Sequence, residues 1–131
     1  MIRTFVLLCL FSSCYCIFGI GHKQTVGIVG KLLCNGKPAA GVKIKLYDKE
    51  FFIDRKLAQV KTDNNGSFKI SGTAKELSKI DPQLNIYHKC NYKWLCYKKL
   101  RIRIPSKYIS KGEQVKQYFN ISTLELAMKI R

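Results

Sequence analysis

The residues of this chain that could do chemistry are few and grouped. "HKCNYKWLC", His88–Cys96, sets a histidine and two cysteines within one short stretch, and Cys34 precedes Asn35-Gly36 in "LLCNGKPAAGVKIKLYD". A His-x-Cys followed by a later Cys supplies nitrogen and sulfur ligands of the kind zinc or copper takes. A structural zinc site asks for four such groups with tight paired spacing, and in an oxidising compartment disulfide bonding competes for the same sulfurs. Asp48, Glu50 and Asp54 form a second group. A cation site is conceivable there, but they lack a calcium-loop spacing, and Lys49, Arg55 and Lys56 interleave them, so a solvated loop is expected. Neither His22 nor His88 has a sequence-adjacent partner that would make a triad or a zinc helix. The chain carries no nucleophile elbow, phosphate loop or dinucleotide fingerprint. No catalytic residue, metal or cofactor is expected.

Composition sets the compartment and the class of partner. Arg3, the apolar run Phe5–Phe11 and the small residues and cysteines through Cys16 have the form of a secretory signal peptide. Apolar character resumes at Ile17–Ile20, but Ser12, Ser13 and Tyr15 interrupt it, which argues against an uncleaved anchor. Cleavage between residues 16 and 21 divides the chain into a signal peptide, 1–19, and a single domain, 20–131. Cys9, Cys14 and Cys16 then leave, and Cys34, Cys90 and Cys96 remain. An odd count implies one bridge plus a free thiol or a bond to another chain. Only Arg3 is lost among charged residues, so 23 basic residues face 8 acidic ones, a balance of +15. Such a charge predicts attraction to acidic surfaces and says nothing about fold.

Period two dominates the rest. "VKIKLY", "SFKIS", "LNIYH", "KLRIRI" and "LELAMKI" (Leu124–Ile130) alternate apolar and polar residues, as half-buried antiparallel strands do. "TVGIVGKLLC" (Thr25–Cys34) is more apolar and Gly-broken, a bent first strand; "LAQVKT" is weaker. Asn35-Gly36, Lys37-Pro38 and Asp63-Asn64-Asn65-Gly66 mark turns. Thr73–Ile80 is the one helix candidate, a short turn. Seven or so short strands joined by turns make an all-β sandwich. Two sequons, at Asn65 and Asn120, are candidate N-glycosylation sites.

"LCNGKPAAGVKIKLYD", "TDNNGSFKISG", "IDPQLNIYHKCN" and "RIRIPSKYISKG", in that order, resemble the nematode transthyretin-like proteins, over essentially all of Gln24–Ile130. The resemblance implies a small secreted protein with the transthyretin-type (prealbumin-like) sandwich of seven or eight strands in two sheets. Typical members end in a tail with another cysteine. This chain stops at "AMKIR", which puts the family's second disulfide in doubt. The related hydroxyisourate hydrolases end in Tyr-Arg-Gly-Ser, which is absent here, so an enzyme is not expected. Fold alone does not transfer the hormone-carrier role of the vertebrate relative.

The implied topology sets strands two, five and six side by side. Lys43, Lys45, Tyr47, Asn85, Tyr87, Lys99, Arg101 and Arg103 then point outward on one face, with no acid among them. Such a face suits an anionic partner: an acidic phospholipid, a sulfated glycan or a receptor patch, by peripheral contact rather than a membrane span. Nucleic acid is not expected as the natural partner of an exported protein. A carrier of a small apolar ligand is the alternative, with Tyr92, Trp94 and Tyr97 as an aromatic lip. The same topology gathers all three cysteines at one pole. Cys34–Cys96 would pin the two sheets together, whereas Cys90–Cys96 would staple one hairpin. The longer loop stabilises more, about 4 kcal/mol. Cys34–Cys96 is therefore expected, with Cys90 as the alternative partner, left free or joining a homodimer.

Overall fold

The computed structural model describes residues 21–128; the expected signal peptide, 1–19, and its cysteines lie outside them. Nine strands run in chain order: β1 (His22–Cys34), β2 (Lys37–Pro38), β3 (Lys43–Lys49), β4 (Asp54–Lys61), β5 (Ser67–Glu76), β6 (Pro82–His88), β7 (Lys98–Arg103), β8 (Ser110–Lys111) and β9 (Phe119–Glu125). They form two sheets. In one, β1 is joined by β2, β5, β8 and β9; in the other the order is β4-β3-β6-β7. All pairings are antiparallel except β1 with β9, which is parallel. The fold is the all-β sandwich expected. No helix among the described residues is long and apolar enough to cross a membrane.

Alternation explains the core. Ile44, Leu46, Leu84 and Ile86 of one sheet are fully buried and meet Val26, Ile28, Phe68 and Ile70 of the other. β1 breaks the alternation because both its faces are covered: a Cβ on Gly27 would lie 2.5 Å from the Tyr118 ring, and one on Gly30 2.4 Å from Ile121. Gly27, paired with outward Ser71, makes room for Tyr118 on the outer face of β1, and Gly30, paired with inward Phe68, makes room for Ile121 on the core side.

Three local expectations are corrected. Thr73–Glu76 is not a helical turn; it continues β5, paired to His22–Thr25, because burial alternates through Ala74. The short helical turn is instead a 3₁₀ turn at Ser106–Tyr108. The last strand ends at Glu125 rather than running on from Leu124, since Leu126–Ala127 turn away after the Leu126 N–H bonds to Leu33 O.

The disulfide joins Cys34 to Cys90, not Cys34 to Cys96, with Cα atoms 5.7 Å apart; Cys96 is free and exposed. Loop length separates either of these bridges from a Cys90–Cys96 staple. It separates the two from each other by only about 0.1 kcal/mol, so placement decides. Cys90 follows β6 directly and is 7% exposed, its N–H donating to His88 Nδ1. Neighbouring Asn35 and Asn91 exchange amide hydrogen bonds at 2.7 and 3.0 Å. Cys96 lies in a splayed loop with Trp94, Leu95 and Tyr97 exposed, so Trp94 and Tyr97 do not cap the core.

Candidate anion-binding face

The outer face of the four-stranded sheet is a lattice of three rows across β4, β3, β6 and β7. Lys61, Lys43, Tyr87 and Lys99 form the first, Gln59, Lys45, Asn85 and Arg101 the second, and Lys56, Tyr47, Gln83 and Arg103 the third. All eight residues read as outward from the sequence (Lys43, Lys45, Tyr47, Asn85, Tyr87, Lys99, Arg101 and Arg103) fall on it. Lys56, Gln59 and Lys61 were not foreseen. Their strand is an edge with a bulge opposite Leu46/Tyr47, which shifts its parity and hides the alternation.

Seven of the twelve positions are cationic and none is acidic. Beneath the cations lies an amide floor: Gln83 and Asn85 are 6% and 4% exposed, and Gln83 Nε2 donates to Asn85 Oδ1 at 2.8 Å. Tyr87 sits between two cations, with Lys45 Nζ 5.1 Å and Lys99 Nζ 5.7 Å from its ring centroid, both within cation–π range. Burial, then the neighbouring Tyr87, raise the Tyr47 hydroxyl above the usual phenol range, so it stays a neutral hydrogen-bonding group. Arg103 differs from the rest because Asp81 pairs with it from just outside the face.

The acids are absent from this face because each holds something elsewhere. Asp63 Oδ1 accepts the N–H groups of Asn65 and Ser67 and closes the β4–β5 turn. Glu125 accepts N–H groups from Ala127, Gly36 and Asn35, which hold its carboxyl below the usual range. Glu113 pairs with Lys23 and Asp54 with Lys49. Both sequon asparagines are exposed, Asn65 on the β4–β5 turn and Asn120 on β9.

At the end of the sandwich away from the disulfide, Asp48, Glu50 and Glu76 come together, with Arg55 bridging the last two. The solvated loop expected at Asp48, Glu50 and Asp54 is thus corrected. Asp54 leaves the group for Lys49, and Asp48 is 1% exposed because it continues the inward series Ile44, Leu46. Burial, then the neighbouring carboxyls of Glu50 and Asp48, push Glu76 up to about 7, against the pull of Arg55. The folded state therefore holds an extra proton between the ordinary value of 4.5 and about 7, so this group's contribution weakens as pH rises through that window. Glu76→Gln stays neutral throughout. Its stability advantage over the parent, measured by urea unfolding with a chelator present, is expected to grow by about 2 kcal/mol between roughly pH 5.5 and 8. An advantage that does not change with pH would exclude the shift.

A separate cleft of about 720 Å³ lies between the start of β1, residues 77–79 and residues 106–112. Leu77 and Ile109 line it together with Lys23, Lys79, Lys107 and Lys111, so apolar surface and cationic side chains share its wall.

The comparisons with known proteins agree with this architecture. Residues 29–105, more than half of the chain, match the model of the Transthyretin-like family (TTR-52). "Transthyretin-like protein 5" of Caenorhabditis elegans is 46% identical over 128 residues, covering 95% of this chain and 91% of that one. "Transthyretin-like protein 33" of the same organism is 36% identical, covering 93% and 90%, and "Transthyretin-like protein 2" is 38% identical, covering 84% and 80%. With a family match over most of its strands and relatives of this identity along nearly its whole length, the chain belongs to the transthyretin-like family.

Proposed function

We propose that the protein is a secreted, non-enzymatic binding module that engages an anionic extracellular or cell-surface partner through the outer face of β4-β3-β6-β7. Acidic phospholipid headgroups, sulfated glycans and an acidic receptor patch share the required chemistry: closely spaced negative charge on a broad surface. The observation that carries the reading is the lattice of twelve outward positions with seven cations and no acid. Strands lie about 4.8 Å apart, so like charges at this spacing repel one another, and an anionic partner relieves that repulsion. Scattered lysines that merely deter edge pairing would not need to share rows in the sheet interior. A shared partner surface could also bring two copies together.

The test is binding of the mature, oxidised protein to phosphatidylserine-containing liposomes, neutral liposomes and heparin at physiological salt. DNA serves as competitor at the same salt, since salt dependence alone cannot separate these polyanions. Charge reversal at Lys45, Lys99 and Arg101, none of which has an acidic partner, is expected to weaken binding at least tenfold, each charge near an anionic surface being worth about 1 kcal/mol. Arg103→Glu is expected to do less, since Asp81 already neutralises part of its charge. Unchanged binding in the triple variant, or no binding to any of these anions, would return the face to the status of an ordinary solvated surface.

A further inference from the structure

The acidic pocket at the β3–β4 end has features that its salt bridges do not explain. Asp48 Oδ1 accepts the Asp81 N–H at 2.9 Å, but Oδ2 has no hydrogen-bond partner. It is the one such buried side-chain atom among the described residues. A buried carboxylate oxygen left this way is costly, and such exceptions in native proteins call for a specific cause, an ion among them. Glu50 reaches the same point from two residues further along, and Glu76 arrives from the end of β5. One oxygen from each of the three lies within 4.8 Å of the others. They line a cleft of about 470 Å³ open to solvent. Three of the chain's eight acids thus converge in a protein of formal charge +16.

We propose that Asp48, Glu50 and Glu76 form a binding site for a divalent hard cation, with Ca²⁺ as its natural occupant. Two ligands on one Ca²⁺, at roughly 2.3–2.6 Å each, span at most about 5 Å. The observed separations fit one ion without rearrangement of the strands. Mg²⁺, at about 2.0–2.1 Å, demands near-ideal octahedral geometry and gives up its waters reluctantly, which suits it poorly to an all-carboxylate cluster fixed by two strands and a loop. The three groups supply between three and six oxygens of the six to eight that Ca²⁺ takes, and the open side of the cleft admits water for the rest. Arg55 is the resident counter-charge. Its guanidinium contacts Glu50 and Glu76 but lies on a side chain 47% exposed, so it can swing out when a cation enters. Competition from that guanidinium places the affinity in the weak range of extracellular calcium modules, on the order of 10⁻⁴–10⁻³ M. The site is independent of the basic face and stands whether or not that face binds anions.

The experiment is isothermal titration calorimetry of the mature, oxidised chain with CaCl₂ and, separately, MgCl₂, after chelator treatment. Saturable one-site binding of Ca²⁺ is expected, at least tenfold weaker for Mg²⁺ and at least tenfold weaker for Ca²⁺ in Glu50→Gln or Glu76→Gln. Arg55→Gln is the decisive variant, because removing the competitor is expected to tighten Ca²⁺ binding several-fold, a gain that misfolding cannot produce. No saturable Ca²⁺ binding by the parent and Arg55→Gln up to about 10 mM, ten times the weak end of that range, would overturn the proposal. So would unchanged affinity in both glutamine variants, weaker binding by Arg55→Gln, or equal affinity for Mg²⁺. The triple charge reversal on the sheet face leaves this site's ligands intact, so the two readings fail separately.

Discussion

Replacing Cys34 and Cys90 together by serine is expected to lower the free energy of unfolding by about 4 kcal/mol, while Cys96→Ser changes it by less than about 0.5 kcal/mol. The bridge spans 56 residues of sequence, and closing a loop of that length removes about 4 kcal/mol of chain entropy from the unfolded ensemble. It also ties β1 of one sheet to the end of β6 in the other, at a pole where the Asn35–Asn91 amide pair and the Glu125 carboxylate add further links. Urea unfolding under fixed non-reducing conditions gives the numbers, and peptide mapping without reduction gives the pairing. A loss of stability in Cys96→Ser as large as in the double variant would mean that the bridge runs to Cys96. Such a loss is large beside the usual total stability of a domain, about 5–15 kcal/mol, so the double variant should also unfold at a markedly lower temperature.

Gly66→Ala is expected to cost about 3–5 kcal/mol, several times the effect of Gly36→Ala. Both glycines have positive φ, 77° and 78°, and an L-residue there costs about 1–2 kcal/mol on backbone grounds alone. Their surroundings differ. A Cβ at Gly36 meets nothing within 4 Å, whereas at Gly66 it would stand 2.3 Å from Leu32 O and 3.0 Å from Ala39 N, both backbone atoms. Those atoms cannot swing aside. Leu32 N–H donates to Gly66 O at 2.8 Å, and Leu32 O accepts the Ala39 N–H at 2.9 Å, so the clash falls on a hydrogen-bonded crossing of β1 with two turns. Equal losses in the two variants, read by thermal or urea unfolding, would show that conformation rather than contact sets the cost.

Strands β3, β5 and β7 were legible because each buries one face more than the other, and β6 because its covered outer face is polar, so alternation survives in the sequence. β1 was only partly so. Tyr118 covers its outer side at Gly27 and Ile121 fills the core side at Gly30, so its traces are two glycines rather than a pattern. Thr73–Glu76 looked like the start of a helix because the inward residues at that point of β5, Gly72 just before it and Ala74 within it, are small and give alternation little contrast. The basic face could be read from parity once the neighbouring strands were known, but Asp81 beside Arg103 and the three positions of β4 required the fold itself. Asp48 shows a different limit. Parity with Ile44 and Leu46 pointed inward, while its charge argued for solvent, and parity prevailed. Glu76 lies far along the chain from Asp48 and carries no local sign of their meeting. The cysteine pairing was illegible because loop length argued only against a Cys90–Cys96 staple, and Cys34 to Cys90 closes a loop nearly as long as Cys34 to Cys96.

The four-stranded sheet ends in β4 on one side and β7 on the other, and β7 carries Lys98, Lys99, Arg101 and Arg103 along its short length. An open strand edge is a template for another chain, and lysine-rich edges resist that addition by repulsion and by the hydration of their charges. Here the residues that guard the edge are the same ones that face outward. Colloidal behaviour therefore depends on ionic conditions: dilute salt keeps copies apart, whereas concentrated salt, by shortening the screening length to a few ångströms, weakens the barrier to strand addition. Handling of the purified protein, and the order in which salt and polyanions are added to it, acts on the same few side chains.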